Sequence, residues 1–315
     1  MNDMIEYIVK RLFAGIFVIL AVTALLFGIM QLMPGDAIQL VSSPRVPAER
    51  IAELRAIWGL DKPVYIQYFY WISRIMQGDF GTSIVSGQKV LTLVMERLPY
   101  TLMLTGGALL VQYIVAIPLG LIAANRKNSF LDHSIVAFTI GFWSIPPFWL
   151  GILLMIIFGV WLKVLPISGY SGFKSVILPL MTISLPGLAG VLRLTRSDVL
   201  EVLREKHVET AYAKGMNKSS VLVRHVLRNA LIPVSVMFFL NLPWTIGGSV
   251  VIETVFAWPG IGPLLWKSIT SQDFPVVQGI VFIIAILTVV SNILGDIVAA
   301  FLDPRVRQEL KGEVI

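Results

Sequence analysis

With 315 residues, 56% of them hydrophobic, 14% charged and a mean hydropathy of +0.81, the chain is far too apolar for a soluble domain of its size. It is an integral membrane protein. The absence of cysteine excludes disulfide frameworks and thiolate metal sites, and the net charge of +6 is scattered between apolar stretches, where membrane orientation accounts for it better than nucleic acid does.

The first apolar stretch follows Lys10 and Arg11 and runs from Leu12 to Met33, 22 residues without a charge and with one glutamine. At 1.5 Å per residue it is long enough to cross a hydrocarbon core of about 30 Å. It has the outline of a signal peptide, but it exceeds a typical apolar leader core and ends in Met33-Pro34-Gly35-Asp36 without a small-x-small cleavage site. The expectation is a retained first span, so that residues 1–33 form the amino terminus and span one.

Residues 34–99 read as the one sizeable region outside the membrane. Pro47 to Trp58 is predicted helical with a stop at Gly59, and Val64 to Met76 helical with a stop at Gly78. Trp58, Tyr65, Tyr68, Phe69 and Trp71 suit a membrane interface. Asp79-Phe80-Gly81 spells a kinase motif, yet no catalytic loop or glycine-rich strand accompanies it, and a capped turn is the better reading.

Five further uncharged windows lie between Arg97 and Arg126, His133 and Lys163, Lys174 and Arg193, Arg228 and Glu253, and Asp273 and Asp296. The fold class is therefore all-α and polytopic, with six transmembrane helices and a helical extracytoplasmic segment. Six spans put both termini on one side. Taking that side as cytoplasmic places 15 Lys and Arg inside and 10 outside, and seven of those ten sit in the long 34–99 loop, where the charge rule is weak.

Proline and glycine recur within the spans at Pro118, Pro146-Pro147, Pro179, Pro186-Gly187, Pro243 and Gly247-Gly248. Each proline removes a backbone hydrogen bond, a loss tolerated in membranes only where neighbours or a cavity satisfy the freed carbonyl. As a set they point to a transport protein rather than a passive anchor. Arg193, Arg196 and Asp296 are the ionisable groups nearest the bilayer, and each lies close enough to a cytoplasmic end for snorkelling or an interhelical hydrogen bond to satisfy it. Asn241, Trp244, Thr245 and Ser249 on the fifth span are candidates to line a polar path, with helix-to-helix hydrogen bonding the alternative.

Between the fourth and fifth spans lies a long polar break, Glu209 to Pro233, within a loop over 198–230. Val199 to Ala213 is predicted as one helix, Gly215 and Asn217 as stop and turn, and Ser219 or Ser220 as the cap of a second helix through Arg228. After the fifth span, Pro259, Gly260, Gly262 and Pro263 forbid a long helix, so Glu253 to Pro263 is expected to fold back at the outer mouth with Phe256 and Trp258 at an interface.

No catalytic or metal-binding residues emerge. Asn217-Lys218-Ser219 has the Lys-Ser pair of a phosphate loop but lacks the glycine before it and the preceding strand, and HExxH, GxSxG and Cys/His clusters are absent from the sequence.

The polar break resembles the cytoplasmic EAA loop of ATP-binding-cassette importer permeases: Glu209, Ala211 and Gly215 fit, with Thr210 in the middle position. The downstream half departs from the general pattern, with the proline in Leu231-Ile232-Pro233. It has instead the A-K-G and R-H-x-L-R-N-A-L-I-P form of the peptide and nickel branch. Further similarities to that branch are Leu32-Met33-Pro34-Gly35-Asp36, Gly78-Asp79-Phe80-Gly81-Thr82-Ser83, Glu201-Val202-Leu203-Arg204, the run from Gly247 to Gly262, Asp273 to Gly279 and Leu302 to Arg305.

What the resemblance implies is a type I ABC importer permease, with a permease core over 100–315 in the cell membrane of a bacterium or archaeon. A second homologous permease would complete a heterodimer, two ATPase subunits would bind ATP and magnesium, and an extracytoplasmic binding protein would deliver solute. This chain itself would hold no cofactor. Glu209, Thr210, Ala211 and Gly215 would couple to the ATPase, and Glu253, Trp258, Pro259 and Gly260 would form an extracytoplasmic gate. Di- or oligopeptides are the expected solute, with nickel chelates, glutathione and oligosaccharides as alternatives. An ion-coupled secondary transporter is the alternative of another class, but neither intramembrane ion sites nor an inverted repeat is visible in the sequence.

Overall fold

A computed structural model describes residues 2–32 and 62–302. The predicted helix over Pro47 to Trp58, the Met33 to Asp36 motif and the closing Asp303 to Arg305 lie outside these residues. The described elements are all helical: α1 (Asn2–Gln31), α2 (Val64–Met76), α3 (Val90–Asn125), α4 (Phe130–Trp143), α5 (Pro147–Leu154), α6 (Phe173–Val202), α7 (Lys206–Ala213), α8 (Lys218–Val221), α9 (Arg228–Val255), α10 (Ile261–Thr270) and α11 (Phe274–Leu302).

Five of these segments are long and apolar enough to span a membrane: α1, α3, α6, the run from Lys218 to Val255, and α11. The predicted span between His133 and Lys163 is different. It is a pair of helices, Phe130–Trp143 and Pro147–Trp161, bent by 99°. Pro146 takes extended backbone angles, and Pro147, which has no N–H to donate, starts the second helix at its first turn. Counting the pair as one span gives six. The other intramembrane prolines do not interrupt their helices: α3 runs through Pro99 and Pro118, α6 through Pro179 and Pro186, and α9 through Pro233 and Pro243.

The centre of the bundle is α3 against α6, where Leu109, Tyr113 and Ala116 pack on Leu188, Val191 and Leu192. Helix α3 has 36 residues, about 54 Å at 1.5 Å per residue, so both of its ends pass beyond the hydrocarbon core. Its two ends organise two satellite cores. At its start, Val90, Leu93 and Val94 meet Ile261 and Leu264 of α10 and Val276 and Ile280 of α11. At its finish, Ala124 joins a cluster with Val199, Val202, Val208, Ala211, Val221 and Val226 around α7.

Helix α1 packs along α11 at the edge, with Arg11 Nε 3.1 Å from Asp296 Oδ2. The aromatic residues of α2 divide between two environments. Tyr68 donates to the Leu20 carbonyl at 2.9 Å, and Trp71 packs edge-on against Phe282 at 6.1 Å, so both face the bundle. Tyr65 and Phe69 remain exposed, as an interfacial role requires.

Candidate functional site

At the α7 end of the bundle, the predicted single helix over 199–213 is two helices. Helix α6 ends at Val202 and α7 begins at Lys206, with Glu205 in extended conformation between them. The cap of α8 is Asn217, whose side chain accepts from Ser220 N at 2.7 Å, not Ser219 or Ser220. The second helix does not stop at Arg228. It continues through a π-helical turn, Leu222–Leu227, into α9.

Helix α7 packs on one side only. Val208 and Ala211 are buried in the cluster with Val199, Val202, Val221 and Val226, while Glu209, Thr210 and Tyr212 face outward. Its exit is a Schellman turn, in which Gly215 N donates to Tyr212 O at 2.9 Å and Met216 N to Ala211 O at 3.3 Å. Gly215 has φ of +81°, a conformation a side chain disfavours, although the space around a Cβ would be open. A polar contact ties α7 to the base of α9. Glu205 Oε2 lies 2.9 Å from His207 Nδ1, and His207 Nε2 lies 3.3 Å from Asn229 Nδ2. Helix α7 is thus a short exposed rod fixed to the ends of two spans.

At the opposite end, the Glu253 to Pro263 segment folds back as expected, but Phe256 and Trp258 are each only 1% exposed and not at an interface. Trp258 Nε1 donates to the Tyr100 carbonyl at 3.1 Å, and the ring packs edge-on against Tyr170 at 5.2 Å. The reason for burial is the capping of α10. Glu253, wholly buried, accepts from Gly262 N at 2.7 Å and from Ser249 Oγ at 3.2 Å, and Thr101 Oγ1 accepts from Ile261 N at 2.8 Å. The first amides of α10 are therefore satisfied by groups from α3 and α9, with a carboxylate at the positive helix end. A Cβ on Gly260 would fall 2.6 Å from Thr101 Oγ1, and one on Gly262 2.7 Å from the Val250 carbonyl, so both positions require glycine. Pro259 is half-buried beside them.

The four polar candidates on α9 do not share a face. Trp244 is 83% exposed, whereas Ser249 is buried against Glu253. Asn241 donates to Tyr113 Oη at 3.1 Å, and Thr245 to the Asn241 carbonyl at 2.8 Å. Of the ionisable groups, Arg196 makes two bonds to Asp132 at 2.8 and 2.7 Å, and Arg193 lies over the Trp143 ring at 5.6 Å. Asp132, Thr101, Asn229 and His207 went unremarked in the sequence because their partners stand 22 to 160 positions away. Local spacing carries no trace of such pairs.

The family model described as "Binding-protein-dependent transport system inner membrane component" matches residues 116–308, and the model of its N-terminal part matches 4–105. The chain belongs to this family. Among relatives of this binding-protein-dependent permease are the oligopeptide transport system permease protein AppB of Bacillus subtilis, 38% identical over 96% of this chain and 99% of that one, and the glutathione transport system permease protein GsiC of Salmonella typhimurium, 37% identical over the same shares. A probable peptide ABC transporter permease of Sinorhizobium fredii is 34% identical. A solved structure of the MetNI methionine ABC transporter is similar in fold, with a TM-score of 0.56 at 17% identity, covering 68% of this chain and 97% of that one. This permease is accordingly a non-catalytic, multi-pass subunit of an ABC importer in the bacterial inner membrane, with the type I permease fold.

Proposed function

We propose that this permease encloses, together with a second homologous permease, a path for di- or oligopeptides, and that α7 carries the ATPase stroke to the spans. The supporting observation is the attachment of α7: an exposed rod whose inner face is packed on α6, α8 and the π-helical turn, so that a push on Glu209 and Thr210 reaches two spans at once. Two ATPase subunits bind ATP and magnesium, and an extracytoplasmic binding protein delivers solute. Both termini lie in the cytoplasm on this reading, which the lysine and arginine distribution supports. The peptide assignment draws on the relatives, which are oligopeptide, probable peptide and glutathione permeases.

The test is uptake by membranes carrying the complete transporter, offered a labelled dipeptide, a pentapeptide, glutathione, a nickel chelate and an oligosaccharide, with and without ATP. Peptide uptake that stops without ATP is expected. Gly215→Asp and Glu209→Lys are expected to insert normally but to lower uptake, and wild-type uptake by both variants would remove the coupling role from α7.

A further inference from the structure

Between the first turns of α4 and the final third of α6 lies a cavity of about 330 Å³, lined by Asp132, His133, Val136, Arg193 and Arg196. Its charges do not balance. Asp132 is consumed by Arg196, which grips it with two hydrogen bonds, and Asn128 N donates to the same carboxylate at 2.9 Å. Arg193 uses its Nε on the Ala189 carbonyl at 3.2 Å and lies against Trp143, but no carboxylate pairs with it among the described residues. The crevice therefore presents one uncompensated guanidinium, with the exposed imidazole of His133 beside it.

Its depth narrows the choice of ligand. Lys174 and Arg193 bracket an uncharged stretch of α6, eighteen residues or about 27 Å, which is close to the hydrocarbon core and puts Arg193 at the boundary nearest α7. An unpaired guanidinium is costly in hydrocarbon but favourable in a headgroup layer. The flank of the crevice is apolar and exposed along Ile140 and Trp143, which continue the face of α4 that carries His133 and Val136, a surface for acyl chains rather than for a polar solute. We propose that the α4–α6 crevice binds the headgroup phosphate of an anionic phospholipid. Arg193 is the charged contact, His133 supplies a second donor, and the chains lie along Ile140 and Trp143. This site is independent of what the permease transports.

The experiment is native mass spectrometry of the assembled transporter, stripped of lipid and then titrated with phosphatidylglycerol, phosphatidylcholine or inorganic phosphate. Retention of phosphatidylglycerol above phosphatidylcholine is expected, falling about fivefold in Arg193→Gln, the contribution of one arginine near an anionic surface, and largely kept in Arg193→Lys. Equal retention of the two lipids, no change in Arg193→Gln, or inorganic phosphate bound as well as the lipid would overturn the proposal. Should Arg193→Gln not assemble, a photoreactive phosphatidylglycerol added to the unaltered complex decides. Crosslinks within residues 133–143 support the site, and crosslinks confined to other helices refute it.

Discussion

Ser83 donates its hydroxyl to Asp273 across 190 positions of chain, at 2.5 Å, and Ile84 N donates to the same carboxylate at 3.0 Å. Two motifs that look unrelated in the sequence, Gly78 to Ser83 and Asp273 to Gly279, are therefore halves of one joint. Phe80 packs edge-on against Phe282 at 5.9 Å beside it. The segment after α2 is locked to the loop between α10 and α11 rather than hanging from the membrane surface.

Asp273 is buried and bonded on both oxygens, so Asp273→Ala leaves two donors without an acceptor. A loss of about 2–3 kcal/mol is expected, at about 1–3 kcal/mol for each buried donor left unsatisfied, with partial relaxation. Thermal unfolding of the detergent-solubilised protein measures it, and limited proteolysis between Gly78 and Lys89 should accelerate.

Gly260→Ala drives a methyl group into Glu253 and Thr101 at the start of α10. Overpacking of this kind costs roughly 1–3 kcal/mol. Gly141→Ala is the control, because a Cβ there meets nothing within 4 Å, and it should be neutral or slightly stabilising. Similar unfolding temperatures for the two variants would contradict the capping arrangement.

Arg196→Gln strands the Asp132 carboxylate, only 1% exposed, without its cation. Because Arg196 keeps 26% of its side-chain surface, the expected cost is about 2–3 kcal/mol, below the 3–5 of a fully buried pair. The double exchange Asp132→Arg with Arg196→Asp should recover part of the loss, and a double-mutant cycle on unfolding free energies measures the coupling.

The turn after α2 has its own pH signature. The Arg74 side chain, and then the Gly81 amide, hold the Asp79 carboxyl below its ordinary value of 3.8. A depressed carboxyl stabilises the folded turn fully above the ordinary value and loses that contribution as pH falls through its lower folded value. Asp79 is half exposed, so the effect is small. Exchange of the Gly81 amide should be unchanged from pH 7 to about pH 5, apart from intrinsic chemistry, and faster relative to its neighbours below about pH 4.

Within the described residues, the sequence by itself determined the class, the placement of five straight spans and the bounds of α2, because membrane-length apolar runs and glycine stops are written in consecutive residues. The positive φ of Gly215 was legible for the same reason, since a helix stop is a local event. Tertiary structure alone decided the rest. The 99° bend at Pro146-Pro147, where the second proline holds the first in extended angles, separates that pair from six intrahelical prolines through which α3, α6 and α9 continue, and its size appears only in the folded chain. Phe256 and Trp258 read as interfacial because their amphipathic neighbourhood suits a headgroup layer; they are buried because α10 needs its amides capped by Glu253 and Thr101. Partners 160 and 190 positions apart leave no periodicity to read, so which polar groups meet is settled only when the spans pack.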